Sequence, residues 1–312
     1  MKKLVSLLIT LVIVIGALSS CFAPETKINI GVMSGPTGMG MSKLMADTPD
    51  DSDKYGFKIY ADPTIGVADL QAGTLDMLCL PTNTAANLAN KQPDFLTVIS
   101  INCLGSLYLL TKDGTTVDSI EDLEGKTIYT SVPNSTTGPI VNYLLAENGV
   151  TATVATVKDH DTLVAMLTGN DSPEIVVLPE PKVSAALMKN DNYTVSVNLT
   201  EAWDEVCDTP LTMGCIVVRN EFLKNNKKAV DSFLSDYEAS IDYIGDQNNL
   251  ESAAQMIVDS KVLPALPVAK SALRNLYGSI VYMDGEEMKA ALEEFYEAIN
   301  CPCPAEEFFY ER

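Results

Sequence analysis

Histidine and tryptophan are nearly missing from this chain, which holds one of each, His160 and Trp203, in 312 residues. With a single imidazole, no Cys/His zinc set can be written, and neither a metal nor any other cofactor is expected. Basic residues are scarce as well: 21 Lys and Arg stand against 42 Asp and Glu, for a formal charge of -21. Such a surface repels polyanions, and no basic cluster runs against the trend, so nucleic acid is excluded as a partner. Apolar runs long enough to span a bilayer are missing throughout. Cysteine is thinly scattered. Cys79 and Cys103 sit in apolar, strand-like runs and read as core, and Cys207 and Cys215 lie apart from them. Cys301-Pro302-Cys303 is too close for a comfortable bridge, and a chain this large builds a core without disulfides.

What is present begins with Lys2 and Lys3 ahead of the apolar run Leu4–Leu18, which ends in small residues before Cys21. The run is shorter than the roughly 20 residues of a membrane span and has the layout of an export signal. Leu18-Ser19-Ser20-Cys21 resembles a bacterial lipoprotein signal. The resemblance implies cleavage before Cys21, diacylation of its sulfur with chains such as palmitate, and a mature protein held to the outer face of the cell membrane. Removing the first 20 of 312 residues leaves 292 and takes the charge from -21 to -23. That length suits two lobes or two small domains.

Four segments repeat one order of strand, small polar turn and helix. They are Lys27–Met33 with Ser34–Gly40, Leu75–Leu80 with Pro81–Thr84, Lys126–Thr130 with Ser131–Gly138, and Glu174–Leu178 with Pro179–Pro181. Such recurrence predicts parallel α/β structure, in which ligands gather at the carboxyl ends of the strands. The apolar runs Leu107–Asp113 and Leu211–Val218 bracket the third and fourth segments and read as two crossings between an outer lobe and an inserted one. The expected division is a signal at 1–20, a first lobe at 21–110, an inserted second lobe at 111–213, and the return to the first lobe with C-terminal helices at 214–312. Beyond Asn220 the three- and four-residue apolar spacing predicts helices, with Phe233, Leu234, Tyr237 and Ile241 as core.

Gly35 to Gly40 fits the spacing of a nucleotide P-loop, but Met41 stands where its lysine must be. Lys43, two positions late, points about 200° away around a helix. A dinucleotide fingerprint fails as well, because Lys43 occupies the place of its third glycine. There remain a Gly-Pro-Thr-Gly turn at a helix start, whose backbone amides favour an acceptor group, and Pro133–Gly138, which offers amides and hydroxyls. One helix start alone says nothing; four in register, two per lobe, predict a shared cleft.

Ile120–Ile128, the Ser/Thr loop and the Tyr-Leu-Leu-Ala-Glu-Asn-Gly helix that follow resemble type II solute-binding proteins of ABC transporters. The similarity is to the branch of nitrate, sulfonate or taurine, and thiamine-precursor binders. Gln71–Leu78 and Cys215–Leu223 resemble further stretches of that branch. The resemblance implies a type II periplasmic-binding-protein fold: two α/β lobes joined by two crossover strands, with a ligand cleft between them. It also implies a monomer that closes on a small-molecule solute and is then recognised by a transporter permease. Carried over by position, the ligand-binding residues are Ser34, Gly35, Thr37 and Gly38 in the first loop and Thr82 and Asn83 in the second. Asn134, Ser135, Thr136 and Thr137 come from the third, and Glu180, as a ligand contact or a solvated turn carboxylate, from the fourth.

These loops lack arginine, which argues against an amino-acid ligand. Amides and hydroxyls suit a small oxyanion, a sulfonate or a pyrimidine-like heterocycle, and Tyr60, Tyr108 and Tyr129 offer stacking faces. Two rival functions stay open. Relatives of the fold act as enzymes in thiamine-pyrimidine or menaquinone synthesis, and a lipoprotein sensor needs no permease. Against the pyrimidine enzyme, its cysteine-rich cluster is missing. His160, between Asp159 and Asp161, reads as a surface residue whose neighbours raise its pKa. No nucleophile–base pair is visible in the sequence, so no catalytic residue is assigned and a non-enzyme is expected.

Overall fold

The computed structural model describes residues 26–131, 136–169 and 171–312. The export signal, Cys21, Asn134 and Ser135 lie outside the described residues. One sheet is built from β1 (Ile28–Met33), β2 (Tyr55–Tyr60), β3 (Met77–Pro81), β4 (Leu96–Leu104), β10 (Thr212–Arg219) and β11 (Ile280–Met283). The other is built from β5 (Leu107–Lys112), β6 (Thr127–Ser131), β7 (Thr153–Val157), β8 (Ile175–Pro179) and β9 (Tyr193–Asn198). Their strand orders are β11-β4-β10-β3-β1-β2 and β7-β6-β8-β5-β9. Central strands covered on both faces need continuous apolar runs, and Val98, Ile99, Ile101 and Cys103 of β4 are all at 0% exposure.

Within each sheet the repeated segments run parallel: β1 lies between β2 and β3, and β6 lies between β7 and β8. Besides β11, which is antiparallel to β4, two strands reverse this. β10 is antiparallel to β3 and β4, and β5 is antiparallel to β8 and β9. Both follow directly on a passage between the sheets and so enter from the opposite side. At the first passage Gly105 and Ser106 take positive φ values of 55° and 74°. The Gly105 amide donates to the Leu211 carbonyl at 2.8 Å, which ties the outward passage to the returning one. A Cβ on Gly105 would stand 2.4 Å from Thr200 Oγ1, so glycine is required by space as well as by φ. β4 of the first sheet thus ends at Leu104 and β5 of the second begins at Leu107, while β9 of the second ends at Asn198 and β10 of the first begins at Thr212.

Helices Asn220–Gly245, Leu250–Asp259, Leu266–Asn275 and Gly285–Ala298 cover the first sheet. Phe233, Leu234, Tyr237 and Ile241 are buried there. Trp203 is fully buried beside the second passage, its Nε1 donating to the Thr209 carbonyl at 2.8 Å. Its ring lies between Tyr143, 5.0 Å away on the inserted side, and Phe295, 5.8 Å away on helix Gly285–Ala298. Among the described residues no helix is long and apolar enough to cross a membrane.

Candidate functional site

The carboxyl ends of β1, β3, β6 and β8 carry the four turns, and β10 runs beneath three of them. Thr37 packs on Gly214 of β10 so closely that a Cβ there would stand 2.2 Å from Thr37 Cγ2 and 2.6 Å from Asn102 Oδ1. Asn102 Nδ2 donates to the Thr37 carbonyl at 2.9 Å. From the second turn, the Thr82 hydroxyl donates to the Thr212 carbonyl at 3.1 Å. From the third, Thr136 Oγ1 reaches Met213 Sδ at 3.9 Å across the two sheets. The first and fourth turns also meet: a Cβ on Gly35 would stand 3.9 Å from Pro181 Cδ. Thr212-Met213-Gly214 is therefore the floor onto which the turns fold.

The expected residues take different parts in this arrangement. Ser34 is exposed, whereas Thr82, Asn83, Thr136, Thr137 and Glu180 are buried. The expectation that backbone amides of the first loop await a ligand is not met. Ser34 N donates to the Tyr60 carbonyl, Gly35 N to Val262 and Gly38 N to Gly35, because the loop needs those bonds to hold its own turn. Gly38 serves packing, since a Cβ there would lie 1.9 Å from the Met33 carbonyl oxygen. Tyr60 is no stacking wall; it is buried and its hydroxyl donates to Asp69 at 2.5 Å. Tyr108 reaches across the molecule, donating to the Asn275 carbonyl at 2.8 Å. Burial, and after it the Glu180 charge, pushes the Tyr108 phenol up to about 12, which keeps it a donor. Tyr129 is half-buried against the second lobe's smaller apolar cluster.

His160 is the clearest correction. It is half-buried, with Nδ1 in hydrogen-bond contact with Ser131 Oγ at the end of β6. Its pKa falls to about 4, because burial disfavours the cation and Lys182 repels it, while Asp161 and Asp159 oppose the shift without reversing it. Asp159 caps helix His160–Met166 by accepting from the Thr162 amide, and that cap aims the imidazole inward. The chain therefore does hold a hydroxyl paired with a neutral imidazole, which the sequence does not reveal.

Sequence reasoning also misses Asn102, Thr212, Met213 and Asn275. Gly214 inside the apolar run Leu211–Val218 is the one available signal, since glycine in a strand marks a close approach of another segment. Asn102 Oδ1, Thr130 Oγ1, Thr212 Oγ1 and Tyr237 OH are buried without a hydrogen-bond partner among the described residues. Each such atom costs about 1–3 kcal/mol. Among the described residues no group of three or more His, Cys, Asp or Glu is arranged to hold a metal. Burial pushes the Cys79 and Cys103 thiols up to about 12 and Cys215 higher still, so none is a thiolate nucleophile. A groove of about 670 Å³ between helices Thr137–Glu147 and Gly285–Ala298 lies apart from the turns; of the expected site residues, none lines it.

Two lobes with strand-end turns facing each other define the class: a periplasmic-binding-protein fold. A protein from Parabacteroides distasonis described as an ABC transporter is 18% identical and covers 92% of this chain and 100% of its own, with a TM-score of 0.73. The periplasmic aliphatic sulphonate-binding protein SsuA of Escherichia coli is 14% identical over 92% of both chains, with a TM-score of 0.72. The nitrate-binding protein NrtA of Synechocystis is 12% identical, with a TM-score of 0.62 over 85% of this chain and 74% of its own. At such identities the likeness is one of fold. No curated protein matches the chain. The family model described as menaquinone biosynthesis matches residues 42–300, and the chain belongs to that family.

Proposed function

We propose that this chain is an extracytoplasmic solute-binding protein, held to the outer face of the membrane by lipid on Cys21, which captures a small polar solute and delivers it as a monomer to an ABC importer. The observation that carries this reading is the convergence of hydroxyl and amide side chains from both lobes, Thr37, Asn102 and Thr136, around Met213 and Gly214 of β10. The inserted lobe of roughly 111–213 closes on the outer lobe by rotation at 105–106 and 211, and each lobe contributes part of the contact. The names of SsuA and NrtA, a sulphonate binder and a nitrate binder, support small oxyanions as one ligand class. The lack of arginine in the described turns keeps a neutral heterocycle equally in view.

Thermal-shift screening against nitrate, sulfonates and pyrimidines tests the proposal. One solute class is expected to raise the melting temperature, and Thr37→Ala with Thr136→Ala is expected to abolish that rise while leaving the ligand-free protein folded. An unchanged affinity in the double variant removes these turns from the site.

A second reading, an enzyme of the menaquinone pathway, is favoured by the family match and by the Ser131–His160 contact. A neutral imidazole at pH 7 is able to accept a proton. Conversion of a candidate substrate by the wild type, lost in His160→Gln, would decide for it.

A further inference from the structure

The fourth turn was expected to meet a ligand or water through Glu180. Instead its carboxylate is 1% exposed and is held by protein groups. Asn275 Nδ2, on helix Leu266–Asn275 of the outer lobe, donates to Glu180 Oε1 at 2.5 Å. Within the inserted lobe, the Ser184 hydroxyl donates to Oε1 at 3.0 Å and the Ser184 amide to Oε2 at 3.2 Å. Ser184 Oγ in turn lies 2.9 Å from Ser271 Oγ, one helical turn before Asn275. Tyr108, on β5 of the second sheet, donates to the Asn275 carbonyl, one of the last carbonyls of its helix and so without a partner inside it. Asn275 itself is exposed, so it forms the lid of the arrangement, and Glu180 is buried beneath it.

We infer that the two lobes are latched at the rim of the cleft by Asn275 and Ser271 on one side and Glu180, Ser184 and Tyr108 on the other. Every partner is a protein group, so the latch holds the lobes together independently of solute. Among the described residues no cation is paired with Glu180. A buried carboxylate served only by neutral donors is sensitive to the loss of any one of them. Opening the lobes hands the same carboxylate to water. The latch therefore biases the lobes toward closure. It rests on the two-lobed fold and not on solute capture.

The test uses the full chain, freed of small molecules by unfolding under reducing conditions and refolding, with hydrogen exchange read at the Ser184 amide. In Asn275→Asp a second carboxylate replaces the donor, and exchange at Ser184 is expected to quicken roughly tenfold or more while β3 and β10 stay protected. Adding Glu180→Gln removes the like charge and is expected to restore slow exchange, an outcome that lost packing alone would not give. Should Asn275→Asp also loosen the strands, Asn275→Ala with Ser271→Ala replaces it and is expected to show the same direction. Equal Ser184 exchange in wild type and variant, or no restoration by Glu180→Gln, overturns the latch. Solute binding measured by thermal shift is a separate outcome: it can fail with the latch intact, and the latch can fail with binding intact.

Discussion

Gly38→Ala is expected to lower stability by about 3 kcal/mol, whereas Gly138→Ala, the corresponding exchange in the third turn, is expected to be neutral or to stabilise by about 0.5–1 kcal/mol. The two glycines both stand near the start of a helix that follows a parallel strand, and the sequence gives no reason to rank them. Space ranks them. A methyl group on Gly38 would lie 1.9 Å from the Met33 carbonyl oxygen and 2.9 Å from Val32 Cγ1, so the short helix Pro36–Met39 must lift off β1. On Gly138 the nearest atom, Thr130 Oγ1, is 3.9 Å away, and alanine fits helix Thr137–Glu147 better than glycine does. Lifting Pro36–Met39 also moves Thr37 off Gly214, so Gly38→Ala is expected to weaken any solute affinity. Urea midpoints of the two variants check the prediction; equal midpoints would mean that the first turn has room to spare.

His160 is expected to make the chain acid-labile in a defined window. Its pKa is 6.5 in the unfolded chain and about 4 in the folded one, lowered by burial first and by Lys182 second. Between those values the unfolded state binds the extra proton. Stability is therefore complete above about pH 6.5 and drains away as pH falls toward 4. Each pKa unit is worth about 1.4 kcal/mol, and with a discount for partial exposure the loss is roughly 2–3 kcal/mol. Asp62, Asp69, Asp159 and Asp236 have pKa values below the ordinary 3.8, so the stability they lend is lost below this window and does not blur it. The unfolding free energy of His160→Gln is expected not to fall from pH 7 to 4.5, while that of the wild type does; Asp204, whose carboxyl is raised by burial, adds stability as pH falls and so opposes the trend in both proteins. Parallel profiles would remove His160 as the cause.

The architecture is legible in the sequence because its signals are local. A buried parallel strand needs an apolar run, the turn after it needs small polar residues, and the helix after that needs a cap. The four segments beginning at Lys27, Leu75, Lys126 and Glu174 carry the first two, and none of the helices that follow them is capped by the side chain of its N-cap residue. The reversed direction of β5 and β10 is not local, since it depends on where the preceding passage enters the sheet. The candidate site is legible only as four turns. What the turns do is decided by residues far away in the chain. Glu180 between two prolines reads equally as a ligand contact or a solvated carboxylate until Asn275, 95 residues later, covers it. His160 between two acids looks like surface until the Asp159 cap turns it toward Ser131. Gly214 alone announces its role in advance, as a missing side chain in an apolar strand, and it lies at the point where Thr37 and Asn102 meet.

The central claim, that the two lobes enclose one small polar solute, is tested most directly by native mass spectrometry of the protein as purified from its own cells. The predicted result is a single small adduct per chain, released when the protein is unfolded and regained by refolding in its presence. A chain that carries no adduct, and that turns over a menaquinone-pathway substrate, would contradict the account and hand the Ser131–His160 pair a catalytic role.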